Sequence, residues 1–215
     1  MSNDAPPADT NSSRLVDVVR LIAQTCVDNE AYFCDLDAVA GDGDFGYSLA
    51  RGFETVLADL DQFDHDDLGA FLQKVATTMS SRMGGTSGPI WGTAFLRAAI
   101  TMKGESETTP DDTVAMLRAA IEGIKKRGGA DVGDKTLLDA LVPLTDAVEA
   151  DVAAGTDAAG TARHGAEVAR AAAEATASLQ ARRGRASYTG ERSIGSPDPG
   201  AIAVAVLAER VADAW

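Results

Sequence analysis

Apolar residues recur at intervals of three and four along most of the chain, and polar or charged residues fill the positions between them. Leu15, Val18, Val19, Ile22 and Cys26 set this spacing over residues 12–30, behind a serine placed to cap a helix. That pattern marks one buried helical face. The same reading predicts helices over residues 47–60, 67–82, 89–102, 111–126, 136–154, 157–182 and 199–214. No stretch sustains two-residue alternation bounded by hairpin turns, so no sheet is predicted. The run 201–206 has the apolar content of a buried strand. Pro199 before it and Glu209 and Arg210 after it favour a helix instead.

Eight such helices predict an all-α fold, a closed barrel or bundle of eight antiparallel helices. After residue 157 alanine appears at nearly every turn, which lets helix axes approach closely, as a barrel wall requires. Glycines gather in four connections, residues 41–46, 84–92, 128–133 and 184–200. In an up-and-down bundle alternate connections share an end, so several of these are expected to converge there.

Composition narrows the picture. With 215 residues, 45% of them hydrophobic, the chain is long enough for one ordinary core. One domain is expected over residues 12–215, after a flexible polar lead-in at 1–11. Aromatic residues are only 5%, so small aliphatic side chains are expected to build the core. No apolar run approaches the roughly 18 residues of a membrane span. The first dozen residues also lack the basic and apolar regions of a secretory signal. A cytoplasmic location away from membranes is expected. The net charge of −14 argues against a nucleic-acid partner, whose phosphates it would repel. It also sets a condition on any phosphate ligand, because such a site needs cations. Cys26 and Cys34 are expected to be buried structural thiols, and His65 and His164 to be solvated. No Ser/His/Asp or Cys/His arrangement offers a nucleophile with its base.

The chemistry lies in the glycine-rich connections. In LDAVAGDGDFG, residues 36–46, Asp42 and Asp44 stand two apart. They share a side in an extended or turn segment but not on a helix. Together with Asp37 they offer three hard oxygen ligands of the kind magnesium prefers. The spacing does not fit an EF-hand. A solvated acidic loop whose last aspartate caps the next helix fits the same residues. In MGGTSGPIWGT, residues 83–93, a helix end and a helix start with Pro89 in its first turn explain most positions. Exposed amides there, with the Thr86 and Ser87 hydroxyls, would also make an anion cradle. Trp91 reads as core.

GGADVGDKT, residues 128–136, falls short of a P-loop, because Asp134 separates Gly133 from Lys135 and no strand precedes it. Asp134 or Thr136 is expected to cap the following helix, and Lys135 to be a surface charge or to face an anion. In GRASYTGERSIGSPDPG, residues 184–200, Asp198 with Pro199 marks a helix start. Arg182, Arg183, Arg185 and Arg192 cluster around it, and a guanidinium suits bidentate phosphate contact. A coil this long is usually functional or disordered.

Four stretches, LDAVAGDGDFG, MGGTSGPIWGTAFLRAA, GDKTLLDALVPL and ARRGRASYTGERSIGSPDPGA, together resemble the L subunit, the ADP-binding or nucleotide-binding part, of dihydroxyacetone kinases. They follow the family's order from residue 36 to the last helix. The resemblance implies that Asp37, Asp42 and Asp44 hold two magnesium ions, which hold the diphosphate of ADP or ATP. It implies that Phe45, Gly46, Tyr47, Ser48, Thr86, Ser87, Gly128, Leu137, Arg185, Asp198, Pro199 and Gly200 surround the nucleotide. A histidine on a separate K subunit would hold the hydroxyketone, so this chain is expected to be half an enzyme. Bound ADP is expected to be recharged by the M subunit of a phosphotransferase system. The alternatives are exchange of ATP, action on a related short ketose, or partnership with a transcription regulator. A homodimer is also expected. One departure stands out: many phosphotransferase-linked relatives have histidine where this chain has Phe45.

Charge arithmetic supports the arrangement. Three carboxylates and ADP bring together roughly −6, of which two magnesium ions return about +4. Arg185 and Lys135 are the candidates to balance the remainder.

Overall fold

A computed structural model describes residues 11–215, with side chains from residue 14. The expected lead-in lies outside the described residues, apart from Asn11, where the first helix begins. The expected serine cap also lies outside the described side chains.

The described residues form nine α-helices and no strand. They are α1 (Asn11–Asp28), α2 (Glu30–Ala38), α3 (Phe45–Asp59), α4 (Leu68–Ser80), α5 (Ser87–Thr101), α6 (Pro110–Gly128), α7 (Leu138–Ala154), α8 (Ala158–Ala175) and α9 (Pro199–Ala212), with short 3-10 segments at Leu60–Gln62, Thr176–Ser178 and Arg185–Ser193. The additional element is α2, a segment for which the helical spacing predicts no element of its own. At Asn29 the backbone leaves helical geometry and α2 begins again one residue later. Of its nine residues only Phe33 is buried, so its periodic signal is weak.

The alanine-rich helix is shorter than expected, ending at Ala175 rather than near residue 182. The chain tightens into a 3-10 turn, and Leu179 then turns extended.

Packing follows chain order. From α3 to α9 each helix lies against the next, α3 also lies on α1, and α9 returns to α1. Helix α2 packs on α3 and also touches α9. Small residues permit these approaches, as on α8, where Gly165, Ala166, Ala169 and Ala173 are buried.

The core is less uniformly aliphatic than composition suggested. Phe33, Phe53 and Phe71 are the largest fully buried side chains. These three rings sit on α2, α3 and α4. Trp91 joins the core as expected. Among the described residues no helix is long and apolar enough to cross a membrane.

Candidate functional site

The last turn of α2 and the first of α3 bracket the acidic loop. Asp37 stands near the end of α2, and its backbone oxygen accepts the N–H groups of Ala40 and Gly41 at 3.2 and 2.6 Å. Its Oδ2 accepts the N–H of Gly43 at 2.9 Å. Gly43 has φ +75, in the left-handed region that glycine occupies without steric cost. The chain therefore folds back, and Asp42 and Asp44 return toward Asp37. One carboxylate oxygen from each of the three lies within 4.8 Å of the others.

Asp44 occupies the cap position of α3, but its side chain makes no capping hydrogen bond. Of the two readings of this loop, the one in which its last aspartate caps the next helix lacks its hydrogen bond. Its carboxylate, like that of Asp42, is exposed toward solvent.

Gly46 brings the two helices together. It is buried, and a Cβ there would run into the backbone carbonyl of Glu30 and lie 2.8 Å from the Cys34 amide nitrogen. One turn before Asp37, the Cys34 sulfur accepts the N–H of Tyr47 at 3.3 Å. Cys34 is thus only partly buried, whereas Cys26 is fully buried and burial pushes its thiol pKa far up. Phe45 packs its ring on Phe33, with centroids 6.1 Å apart, and Ser48 is buried.

The other three glycine-rich connections form a series that starts and ends beside this loop. A Cβ at Gly84 would lie 3.7 Å from the Ser48 hydroxyl, which sets the second loop beside the start of α3. Thr86 takes the cap position of α5 without a side-chain capping bond; it is exposed and Ser87 partly so. Gly128 at the end of α6 faces Ile90 of α5, and Gly200 at the start of α9 faces Leu137 before α7. Arg185 closes the circuit. Its guanidinium pairs with Asp42 and also lies 3.5 Å from Asp44. The expected site residues therefore occupy one connected series of loops. Their side chains differ in availability: Tyr47 is 54% exposed, whereas Phe45 is engaged in packing.

Three expectations change. Lys135 is neither a surface charge nor directed at an anion. It is 4% exposed, and its ammonium donates to the carbonyls of Leu179 (3.1 Å), Ser193 and Ser196 (2.6 Å). It is therefore not a direct counter-charge for phosphate. Of the two expected caps of α7, Thr136 serves, its hydroxyl accepting the Leu138 N–H at 3.2 Å; Asp134 instead accepts from Arg183 Nε at 3.0 Å, and that bond holds its carboxyl below the usual range. Asp139, not among the expected site residues, accepts the N–H of Gly133 at 2.5 Å and of Thr136 at 2.7 Å. An acidic residue three positions after Thr136 was its one sequence signal. His65 is not simply solvated either: it lies edge-on to Phe71 and bonds the Leu60 carbonyl. His164 remains on the surface, paired with Asp151.

Asp198 caps α9 as expected, accepting the Ala201 N–H at 2.8 Å. Burial, reinforced by nearby Asp139, pushes its pKa up to about 7.

Three hard carboxylates at this separation, with no capping duty on Asp44, fit a magnesium site. The exposed Thr86 at the start of α5 and an arginine beside the carboxylates suit a phosphate-bearing ligand.

Comparison with known proteins identifies the family. Residues 39–213 match the DAK2 domain. The chain is 36% identical over 181 residues to the ADP-binding subunit DhaL of the PEP-dependent dihydroxyacetone kinase of Escherichia coli, covering 84% of this chain and 86% of that protein. It is 37% identical over 182 residues to the ADP-binding subunit of the PTS-dependent enzyme of Lactococcus lactis, covering 85% and 86%. It is 40% identical over 196 residues to an L-erythrulose 1-kinase of Mycolicibacterium smegmatis, covering 90% of this chain but 34% of that one.

The dihydroxyacetone kinase of C. freundii, solved with AMP-PNP and Mg2+, superposes with a TM-score of 0.76 at 24% identity. That likeness concerns the fold; it covers all of this chain and 37% of that one. The chain thus spans about a third of these longer kinases and most of the separate subunits. It belongs to the DAK2-domain family, the family of the ADP-binding L subunits of dihydroxyacetone kinases.

Proposed function

We propose that this chain is the nucleotide-binding subunit of a dihydroxyacetone kinase, with Asp37, Asp42 and Asp44 holding two magnesium ions against the diphosphate of ADP or ATP. The observation that carries the reading is the meeting of these three carboxylates with Arg185, which brings the first and last glycine-rich connections together. When bound, magnesium neutralises phosphate charge and fixes the diphosphate's orientation. The chain's own residues supply the rest. Gly43 and Gly46 let the acidic loop fold back beneath the diphosphate. Amides around Thr86 and Ser87 offer donors to phosphate oxygens, and Arg185 can fork onto them. Phe45 to Ser48, Gly128, Leu137 and Asp198 to Gly200 form the walls. Phosphoryl transfer by positioning and charge neutralisation needs no covalent group on this chain.

The proposal extends to one domain over residues 12–215, a closed barrel of eight antiparallel helices (α1 and α3 to α9) with α2 as an added piece. A dihydroxyacetone-binding K partner would bring the accepting hydroxyl. In our reading the ADP stays bound and is recharged by a phosphotransferase protein. The relatives that match this chain along most of their own length carry PEP- or PTS-dependence in their names, which supports that donor. The 40% identity to an L-erythrulose kinase favours a second reading, a four-carbon ketose as acceptor.

Calorimetry with Mg·ADP tests the core of the proposal. Saturable binding should vanish with EDTA, and the ligand pair should raise the melting temperature because it binds only the folded chain. No heat of binding and an unmoved melting curve would overturn it. Adding a K partner with either dihydroxyacetone or L-erythrulose would then choose between the substrates.

A further inference from the structure

Lys135 is the only non-glycine residue with positive φ among the described residues, at φ +61, a conformation that side chains other than glycine rarely adopt. It is also buried, and lysine is almost never buried without partners. Its partners are three backbone carbonyls, matching its three N–H donors. All three belong to one stretch, at Leu179, Ser193 and Ser196.

That stretch runs from the end of α8 to the cap of α9 and carries Arg185. Its inner side is organised around Ser193, fully buried, whose hydroxyl accepts the Ala181 N–H and donates to the Gly190 carbonyl. The neighbouring Asp134 takes hold of the same stretch, its backbone oxygen accepting the Arg182 N–H at 3.0 Å and its carboxylate the Arg183 guanidinium. Asp139 in turn fixes the backbone on either side of Lys135, through Gly133 and Thr136. A long connection is thus tethered from within by one buried cation, beside the hold of Asp134.

We propose that Lys135 is a positioning residue: its ammonium, gripped by the carbonyls of Leu179, Ser193 and Ser196, sets the segment that presents Arg185 to Asp42 and Asp44. The inference rests on the nucleotide reading above for its consequence, and on the hydrogen bonds alone for the tether. Lys135 touches no phosphate itself; it acts through the loop it holds.

Lys135→Gly is the informative variant, because glycine accepts the positive φ and leaves room for a soluble amine. Hydrogen exchange of the ligand-free chain should quicken at least tenfold over residues 179–198 and stay unchanged in α3 to α6. Affinity for Mg·ADP should fall at least tenfold. Added n-butylammonium, which has the shape and charge of the missing side chain, should recover both, and n-butanol neither. Lys135→Met, which keeps the length without the charge, should lose both and resist rescue.

Exchange within twofold of the parent over residues 179–198 would overturn the proposal. So would unchanged Mg·ADP affinity despite a loosened loop, or rescue by butanol equal to that by the amine. Failure of both variants to fold would also overturn it, making Lys135 a residue of general stability. A parent that binds no Mg·ADP would sink the nucleotide reading, while the exchange measurement still decides the tether.

Discussion

Asp42 and Asp44 face solvent beside Arg185 and are not used to cap a helix. Removing either carboxylate should therefore leave folding intact. Asp42→Ala and Asp44→Ala should each weaken Mg·ADP by more than the roughly 10–100-fold that loss of an outer-shell partner costs a metal site. Calorimetry beside a circular-dichroism melt checks both halves of this expectation; retained affinity in both variants would remove the metal assignment.

Asp198 makes a different prediction. Its pKa rises from 3.8 to about 7 on folding, so between those values the folded chain keeps a proton that the unfolded chain releases. Stability from this group is then fully present below about pH 4 and declines as pH rises toward 7. Urea unfolding across that range should show the decline in the parent. Asp198→Asn should flatten it, because asparagine can still cap the helix but does not titrate. An identical pH dependence in the two proteins would show that Asp198 is not the group responsible.

At the scale of elements, the joint between α2 and α3 determines whether Asp37 can meet its partners. The joint closes because Gly46 has no side chain where the Glu30 carbonyl passes. Gly46→Ala must push the helices apart, with an overpacking cost of about 1–3 kcal/mol. Mg·ADP affinity should fall with the melting temperature, although no ligand atom is removed. Unchanged melting and affinity would mean that the joint yields elsewhere without moving Asp37.

The same joint limited what could be foreseen. Helix α2 is nine residues long with one buried side chain, too little for a periodic signal. By contrast α9 was legible to its first residue, because Asp198 and Pro199 combine a cap and a helix-compatible φ.

For the whole molecule, the proposed division of labour predicts that the purified chain alone will not phosphorylate dihydroxyacetone. Turnover should begin when a K-type partner is added, since that partner places the hydroxyl in line with the phosphate. Turnover by the chain alone would refute it. The donor is testable in the reconstituted system by loading radiolabelled ADP and chasing with unlabelled ATP. Several loops and two cations would hold the nucleotide, so label retained over many turnovers is expected. Label lost within one turnover, with ATP alone sustaining activity, would assign the chain to ATP exchange.

The amino-acid sequence by itself determined the helical class, most helix boundaries and the residue types gathered in the four glycine-rich loops. These features are local: periodicity, caps and glycine placement act within a few residues of one another. Tertiary structure decided which residues those side chains face. Lys135 and Arg185 are both cations in glycine-rich connections, and nothing local separates them. Folding buries Lys135 against carbonyls 44 to 61 residues away and presents Arg185 to carboxylates near the start of α3. A buried ammonium must satisfy all its donors nearby, whereas an exposed guanidinium remains available for a ligand. That difference exists only once distant segments have packed together.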